Sequence, residues 1–333
     1  MNSDICLFIF SVIAAFLGWS FIAKVITGQF AHMNWIIAAY HDAVSFADPS
    51  VVVAFVIGIS LSVAMLVIYT RGGARGLSPT EWRSYKLVSI RPVSSTTSIY
   101  RFALPKPSTV LGLPVGKHVS VRAEIGGKTI MRSYTPITDD TTRGAFELMV
   151  KSYPQGRISR KFAELKVGDS LEMKGPRGNY EYVQGKYDRI GMIAGGTGLT
   201  PCLQVVTASL RDPSDKTRFD LIYANVTASE ILLMEHLDEL AAKHPDRFRV
   251  YYVLNQAPAG WKGGVGFVTR DAIEKYLPAA AENGQILMCG PPPMMDAMKK
   301  ILVDIGYPTA GTVSRAGDVR TSTLSANQRV FVF

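Results

Sequence analysis

The stretch Arg189–Leu210 reads R-I-G-M-I-A-G-G-T-G-L-T-P-C-L-Q-V-V-T-A-S-L, and it decides the fold of the second half of the chain. Its apolar run Ile190–Ala194 predicts a short strand or a buried turn. Three glycines follow, and the spacing of Cys202–Leu210 predicts a helix. Thr200 reads as a cap-like residue and Pro201 as a first-turn proline. A glycine loop between a strand and a helix can bind phosphate, although such glycines also serve packing alone.

The first seventy residues differ from the rest of the chain in hydropathy. The 333 residues are 47% hydrophobic with a mean hydropathy of +0.15, and two uncharged runs, Ile5–Ala23 and Val51–Tyr69, supply the excess. Each run is near the ~20 residues that span a bilayer. Arg71 and Arg75 follow the second run, so the positive-inside rule predicts that everything after it faces the cytosol. The first run lacks the basic start of a signal peptide and predicts a second span or a helix on the membrane surface.

Charge divides the chain at the same place. The whole chain has a net charge of +9 and residues 1–70 have −2, so the remaining residues carry +11. A basic globular part favours an anionic lipid surface or an acidic protein partner. No basic helix or aromatic-basic platform favours nucleic acid. The three cysteines, Cys6, Cys202 and Cys289, have neither disulfide nor zinc spacing, so we expect reducing cytosol and no metal site.

The sequence predicts a membrane-anchored protein with two globular domains, one α+β and one α/β. Residues 1–70 are the anchor, with one or two transmembrane helices of which 51–69 is the better defined, and 71–79 are a glycine-rich basic linker. Residues 80–184 show short alternating runs that predict an antiparallel β-barrel. Residues 185–333 alternate strands with helices, which predicts a Rossmann-like parallel sheet with helices on both faces.

The predicted elements are as follows. The strands of the first domain are Tyr85–Ile90, Ser98–Leu104, His118–Ile125, Thr129–Tyr134, Phe146–Tyr153 and Ser170–Lys174, with a hairpin turn at Gly126–Gly127 and one helix over Ser159–Leu165. The strands of the second domain are Ile190–Ala194, Phe219–Ala224, Arg249–Leu254, Gln285–Met288 and Arg329–Phe333, with helices through Leu210 and over Ser229–Lys243 and Met294–Ile305.

Two motifs of the first domain have the chemistry of anion binding. Arg132–Pro136 reads R-S-Y-T-P at the end of a strand, where alternation places Arg132 and Tyr134 on one face. A guanidinium there can bind phosphate bidentately, and a tyrosine ring can lie against a flat group. Gly156–Ser159 (G-R-I-S) opens the helix and offers free backbone N–H groups. Taken singly, the first motif also fits an exposed cross-strand pair and the second an ordinary turn.

A third motif, Cys289–Pro293 (C-G-P-P-P), ends a predicted strand of the second domain. Ligands of parallel sheets bind at this edge. Three prolines in a row predict a stiff loop without donors, suited to lining a flat ring. The alternative is a strand-ending turn beside a cysteine that only packs.

These motifs occur in an order that resembles the NADH–cytochrome b5 reductases of the ferredoxin-reductase-like flavoenzymes. The likeness runs from about Tyr85 to Phe333 and includes Leu113–His118 (L-P-V-G-K-H) and the ending Val330–Phe333 (V-F-V-F). With its N-terminal anchor, the chain is most similar to the fungal membrane-bound members. The resemblance implies FAD in the barrel, NADH on the parallel sheet, hydride transfer between them, and single electrons passed to cytochrome b5. In fungal relatives it also implies a link to diphthamide synthesis through a small iron-binding partner.

The resemblance assigns roles to residues of the motifs. Arg132 would hold the FAD pyrophosphate, and a catalytic group would comprise Thr135 near the reactive edge of the flavin, Lys151 touching both cofactors and Cys289 near the nicotinamide. Lys151 could alternatively be a solvated strand lysine. The implied flavin contacts are Arg132, Ser133, Tyr134, Thr135, Met149, Lys151, Tyr153, Gly156, Arg157, Ile158 and Ser159. The implied NADH contacts are Gly195, Gly196, Thr197, Gly198, Thr200, Asn225, Cys289, Gly290, Pro291, Pro292 and Met294.

The resemblance also fixes expectations about partners. Arg157, Arg160 and Lys161 are the predicted contacts for an acidic haem protein, and the globular part is expected to be monomeric. Asn255 stands where animal members often have an acidic residue, which weakens the case for NADH over NADPH. The loop between Gly175 and Ile190 is shorter than in those members, so partner contacts there cannot be transferred.

The acceptor and the membrane have alternatives at this stage. A reductase of ferric chelates or quinones would share the same motifs. A flavin-free membrane tether that keeps the fold as a binding module would share the fold. The expected membrane is the mitochondrial outer membrane, with the endoplasmic reticulum as the alternative.

Overall fold

The computed structural model describes Val53, residues 56–63, 76–308 and 329–333. The chain divides into two compact units, Met1–Ala74 and Arg75–Phe333. In the first unit the described residues are helical, and most of their apolar side chains are exposed. Among the residues described, no helix is both long and apolar enough to cross a membrane. The predicted span Ile5–Ala23 and the rest of Val51–Tyr69 lie outside them.

The first sheet of the second unit is antiparallel and six-stranded. Its order is β4-β3-β6-β1-β2-β5, so β4 and β5 are its edges. Helix α1 (Ile158–Glu164) contacts β3 and both of these edge strands. The strands are β1 (Arg83–Pro92), β2 (Thr97–Ala103), β3 (His118–Ile125), β4 (Lys128–Tyr134), β5 (Ala145–Lys151) and β6 (Ser170–Arg177). All six predicted strands are confirmed, with ends that differ by up to three residues.

The predicted hairpin between β3 and β4 is confirmed. Ile125 faces Lys128 across a two-residue turn, and Gly126 and Gly127 have φ of +59° and +71°. Two consecutive positive φ angles define the tight turn that matches the twist of paired strands, and glycine adopts them without strain. This turn fixes the register of β4 and therefore the side of the sheet on which Arg132 lies.

The second sheet is parallel, with the order β10-β9-β8-β7-β11-β12. β8 lies on one side of β7 and β11 on the other, so the strand order reverses at β7. The strands are β7 (Arg189–Gly195), β8 (Arg218–Asn225), β9 (Phe248–Leu254), β10 (Gly264–Val265), β11 (Gly284–Cys289) and β12 (Val330–Val332). The helices are α2 (Leu199–Arg211), α3 (Met234–Lys243), α4 (Arg270–Tyr276) and α5 (Pro292–Asp304).

Both faces of the second sheet are buried by helices, as predicted. On one face Met192 packs in a cluster with Cys202 of α2, and on the other Ile193 packs with Met295 of α5. Alternate residues of β7 therefore enter two different cores, which explains why its sequence is apolar throughout. The carboxyl end of β7 lies between these two cores and leads directly into the glycine turn.

Three sequence-based expectations need correction. The helix predicted over Ser229–Lys243 begins only at Met234, because a separate 3-10 turn occupies Ala228–Glu230 and Leu233 is left-handed with φ of 56°. The interval 264–276, where the sequence predicts no element, contains β10 and α4. Pro292 and Pro293 do not form a stiff loop: they open α5, where the missing N–H of proline costs no helical hydrogen bond.

Candidate active site

The R-S-Y-T-P motif lies on the edge strand β4 beside helix α1. Arg132 and Tyr134 face two buried valines of β3 in register, which confirms that they share one face of the sheet. The ring of Tyr134 is half-buried, with its centroid 5.1 Å from that of Phe162 in α1. The exposed guanidinium of Arg132 donates from Nη1 to the carbonyl of Met131 (2.7 Å). A cation and a fixed aromatic ring thus lie together at the edge of the first sheet.

The G-R-I-S turn folds back tightly before α1. The amide of Gly156 donates to the carbonyl of Tyr153 (2.9 Å), and a Cβ on Gly156 would lie 2.0 Å from Ser159 Oγ. A side chain at position 156 would displace the Ser159 hydroxyl and crowd the carbonyl oxygen of Tyr153 (3.1 Å). No acidic side chain lies in the first turn of α1, and no side chain caps it. Since α1 contacts β4, this turn and the Arg132 motif belong to one region, as the resemblance implies.

Lys151 ends β5, whose residues contact the 3-10 turn Gly196–Gly198 of the second domain. Its ammonium pairs with Glu230 Oε2 (3.2 Å), and the two side chains are only 18% and 27% exposed. The ring of Tyr153 lies 5.9 Å from the same nitrogen. The alternative of a solvated strand lysine is therefore wrong. The sequence does not predict Glu230 as the partner of Lys151, because no local pattern connects positions 79 residues apart.

The two sheets meet at a contact that we call the seam, defined by β5 and the two 3-10 turns Gly196–Gly198 and Ala228–Glu230. Met149, predicted to touch a cofactor, is 3% exposed and packs there with Ile99 and Leu232. Its role toward a cofactor stays a prediction. This packing also gives a physical reason for the late start of α3, since residues just before it are drawn into the seam.

A side chain of α2 braces the domains beside the seam. Gln204 Oε1 accepts from the amide of Gly116 (2.7 Å), and Gln204 Nε2 donates to the carbonyl of Lys117 (3.2 Å). An ion pair joins Arg211 to Asp139 farther along the same helix. The relative position of the two domains therefore rests on several contacts.

The glycines after β7 have two different structural reasons. Gly196 alone has a positive φ, +53°, whereas Gly195 and Gly198 have ordinary values of −120° and −62°. A Cβ on Gly198 would lie 2.1 Å from the carbonyl oxygen of Cys289, and one on Gly195 would lie 2.9 Å from Pro291 Cδ. The expected conformational freedom thus applies to Gly196. The other two are glycine because the loop after β11 packs against them.

The start of α2 also differs from the sequence-based expectation. The helix begins at Leu199 without a side-chain cap, and Thr200, 7% exposed, donates from Oγ1 to the carbonyl of Thr197 (3.2 Å). Thr200 is therefore inside the first turn and is not the cap. The hydroxyl of Tyr223 donates to the carbonyl of Gly196 (3.1 Å). Burial raises the pKa of Tyr223, which keeps this hydroxyl protonated as a donor.

Asn225 ends β8 at the carboxyl edge of the second sheet. The residue is 7% exposed, and its buried Nδ2 makes no hydrogen bond of normal geometry among the described residues, although the amide lies near the Tyr223 hydroxyl, whose pKa is raised by burial and partly lowered by this amide. Buried donors are nearly always satisfied, so an unsatisfied one at a ligand-binding edge suits an acceptor from a ligand. Together with the exposed Arg132 and the side-chain-free surface of the glycine turn, this donor fits a pair of dinucleotides.

Cys289 ends β11 and is half-buried beside the glycine turn. Burial raises the pKa of its thiol to about 12, and burial also raises the pKa of Cys202 in α2. The Cys289 thiol is therefore protonated at neutral pH. It can contact a ring as a small polarizable group but does not act as a thiolate nucleophile.

This protonation predicts slow alkylation. At pH 8 iodoacetamide should modify Cys289 at least ten times more slowly than a free cysteine, whose pKa is about 8.5. The Cys289 thiol loses its proton at a higher pH in the native state than in the unfolded chain. The free energy of unfolding should therefore fall as pH rises from about 9 toward 12. Mass spectrometry of the digested protein measures the rate, with Cys289→Ala to assign the peptide. Modification at the rate of a free thiol would show that the sulfur is ionised.

A cavity of about 340 Å³ lies at the opposite, amino edge of the second sheet. Its lining includes Arg189, Arg247, Arg249 and the buried Asp220. Asp220 pairs with Arg189 (2.7 Å) and Arg249 (2.6 Å), and Arg247 donates to Ser209 Oγ (2.8 Å). These guanidinium groups are held by the protein itself. The cavity is remote from the predicted cofactor contacts and forms a structural charge network.

Comparison with known proteins agrees with this architecture. Residues 84–182 match the family described as the oxidoreductase FAD-binding domain, and residues 192–300 match the oxidoreductase NAD-binding domain. Among solved structures, the cytochrome b5 reductase domain of Ulva prolifera nitrate reductase has a TM-score of 0.68 at 34% identity, covering 78% of this chain and 100% of that one. The fold and the paired domains define an FAD- and NAD-binding oxidoreductase.

Curated relatives narrow this class. NADH-cytochrome b5 reductase 1 of Mycosarcoma maydis is 50% identical, covering 84% of this chain and 86% of its own length. The enzyme of that name from Debaryomyces hansenii is 45% identical, covering 81% and 96%. The chain belongs to the NADH–cytochrome b5 reductase family.

Proposed function

We propose that this chain passes electrons from NADH through FAD to cytochrome b5. The observation that carries the proposal is the seam, where β5 of the first domain contacts the glycine turn after β7 and its last residue, Lys151, pairs with Glu230 of the second domain. Flavin and nicotinamide sites on two domains can bring their rings together only at such a contact. When bound, FAD supplies the chemistry that converts a hydride from NADH into single electrons.

The protein's own part is to bind and orient the two nucleotides and to exclude water. Arg132 and Tyr134, with the Gly156–Ser159 turn, would hold FAD at the edge of the first sheet. The glycine turn and Asn225 would receive NADH at the carboxyl edge of the second. Holding both reactants in place replaces a bimolecular encounter by an internal step. None of these roles requires a residue to act as an acid or a base. The thiol of Cys289 also stays protonated.

Acceptor assays test the proposal. The purified protein should be yellow, oxidise NADH, and reduce cytochrome b5 faster than a ferric chelate or a quinone at equal concentration. NADH should still be preferred over NADPH, because no basic cluster that could bind a 2′-phosphate accompanies Asn255, which stands where animal members often have an acidic residue. The amide of Asn255 donates to the carbonyl of Gly266 (3.1 Å). A colourless protein that folds would favour a flavin-free binding module. A coloured protein inactive toward cytochrome b5 would favour the alternative acceptors.

The surface beside the flavin motifs suits an acidic partner. Arg157 and Arg160 are exposed and Lys161 is half-buried, all at the start of α1. Arg160 lies 3.6 Å from Glu164, but its side chain is 68% exposed, so this pair is weak. The positive charges remain available to steer an acidic haem protein toward the flavin edge.

Charge reversal tests this surface. Arg160→Glu together with Lys161→Glu should lower kcat/KM for cytochrome b5 about tenfold at low salt and flatten its dependence on ionic strength. Lys106→Glu together with Lys128→Glu, at two exposed lysines outside α1 and the cofactor motifs, reverses the same number of charges and is the matched control that should change neither. NADH–ferricyanide activity reports intact cofactor sites. An unchanged salt dependence in the double variant would place the docking surface elsewhere.

We propose that residues 1–70 anchor the protein with its globular part facing the cytosol, at the mitochondrial outer membrane, with the endoplasmic reticulum as the alternative. Two long apolar runs, the arginines after the second, and the exposed apolar side chains of Val56 and Leu61 support anchoring. A small iron-binding protein of diphthamide synthesis is a second proposed acceptor. Cell fractionation with protease protection of a tag at Met1 tests location and span number. A fully soluble protein would contradict the anchor.

A further inference from the structure

The pair between Lys151 and Glu230 joins the two domains at the seam. Lys151 is the last residue of β5, and Glu230 ends the 3-10 turn that follows β8 and its unsatisfied Asn225. The ammonium therefore lies between the predicted flavin side and the predicted nicotinamide side. We propose that Glu230 is a positioning residue, which fixes the Lys151 ammonium before the nucleotide binds. This inference rests on the proposed function.

The environment makes this pair stronger than a surface pair. Side-chain exposures are 18% for Lys151 and 27% for Glu230, against 68% and 54% for Arg160 and Glu164 on α1. Coulombic attraction grows as water is excluded, and a partly buried charge that loses its partner is left uncompensated. Without Glu230, the lysine would regain the rotamer freedom of its four-carbon stem and turn toward solvent. A nucleotide would then have to order that side chain as it binds.

The seam does not depend on Glu230 for its assembly. Met149 packs against Leu232, and Gln204 bridges two backbone groups of the first domain. A pair that only braced the domains would be one contact among several. A pair that orients Lys151 has a local effect, which should be measurable as nucleotide affinity rather than as folding.

The proposal is tested by measuring the affinity of the FAD-loaded protein for NAD+. Binding is monitored by the shift in flavin absorbance. Glu230→Gln should raise the dissociation constant about tenfold, while flavin content and melting temperature stay near those of the parent. Glu230→Asp keeps the charge and should recover most of the affinity. Glu147→Gln is the matched control, because Glu147 also lies on β5 but pairs with Arg101 inside the first domain (2.7 Å).

A double-mutant cycle decides whether Glu230 acts through the lysine. In a Lys151→Met background, Glu230→Gln should weaken NAD+ binding less than twofold further. Equal effects in both backgrounds, or tighter binding in Glu230→Gln alone, would overturn the inference. Tighter binding would mean that Glu230 competes with the nucleotide for Lys151. Failure of the parent protein to bind NAD+ would instead count against the proposed function.

Discussion

Purified Arg132→Ala is expected to fold and to lose its flavin. The exposed guanidinium lies on the edge strand β4, and Tyr134 two residues on is held against Phe162. A bidentate bond to pyrophosphate would contribute two charge-assisted hydrogen bonds of about 1.5–3 kcal/mol each. Their loss should weaken FAD binding on the order of 100-fold or more. The visible flavin absorbance per protein, before and after dialysis, measures the loss.

Two variants make this result specific. Arg132→Lys keeps the charge without the planar fork and should retain FAD to an intermediate degree. Arg122→Ala removes an arginine from the neighbouring strand β3, where it pairs with Glu172 through both oxygens (2.8 Å each) and lies over Trp82. That variant should lose some stability yet remain yellow. Full flavin content in Arg132→Ala would assign the pyrophosphate to another group.

Gly198→Ala should damage both stability and NADH binding. Its Cβ would lie 2.1 Å from the carbonyl oxygen of Cys289 and 2.5 Å from the carbonyl carbon, and both are backbone atoms. Overpacking of this kind typically costs about 1–3 kcal/mol. The loop after β11 must move away from the turn after β7, which shifts Cys289 and Gly290 together. We expect about 2 kcal/mol less stability by denaturant unfolding and NADH binding weaker by at least tenfold.

The neighbouring glycine provides the comparison. Gly196 has a positive φ, but a Cβ added to it would meet nothing within 4 Å. Gly196→Asn should therefore cost less than about 1 kcal/mol in stability, since asparagine tolerates left-handed backbone. If Gly198→Ala proved as mild as Gly196→Asn, the close packing of the two loops would not matter for folding.

The order of elements and much of the predicted site could be derived from the sequence. Strand alternation gave the face shared by Arg132 and Tyr134, and the paired glycines at 126 and 127 gave the hairpin. These features depend on neighbours in sequence, so local patterns contain them. The start of α3 could not be derived this way, because packing of Leu232 against Met149 overrides the local helical spacing.

What the sequence determined by itself is the order of motifs that identifies the family and the elements on which they lie. Only the tertiary structure decided that Gly198 is glycine because Cys289 approaches it, that Asn225 has an unsatisfied donor, and that Glu230 is the partner of Lys151. The physical reason is distance along the chain. Contacts between residues tens of positions apart arise when sheets and helices pack, and no local periodicity encodes them.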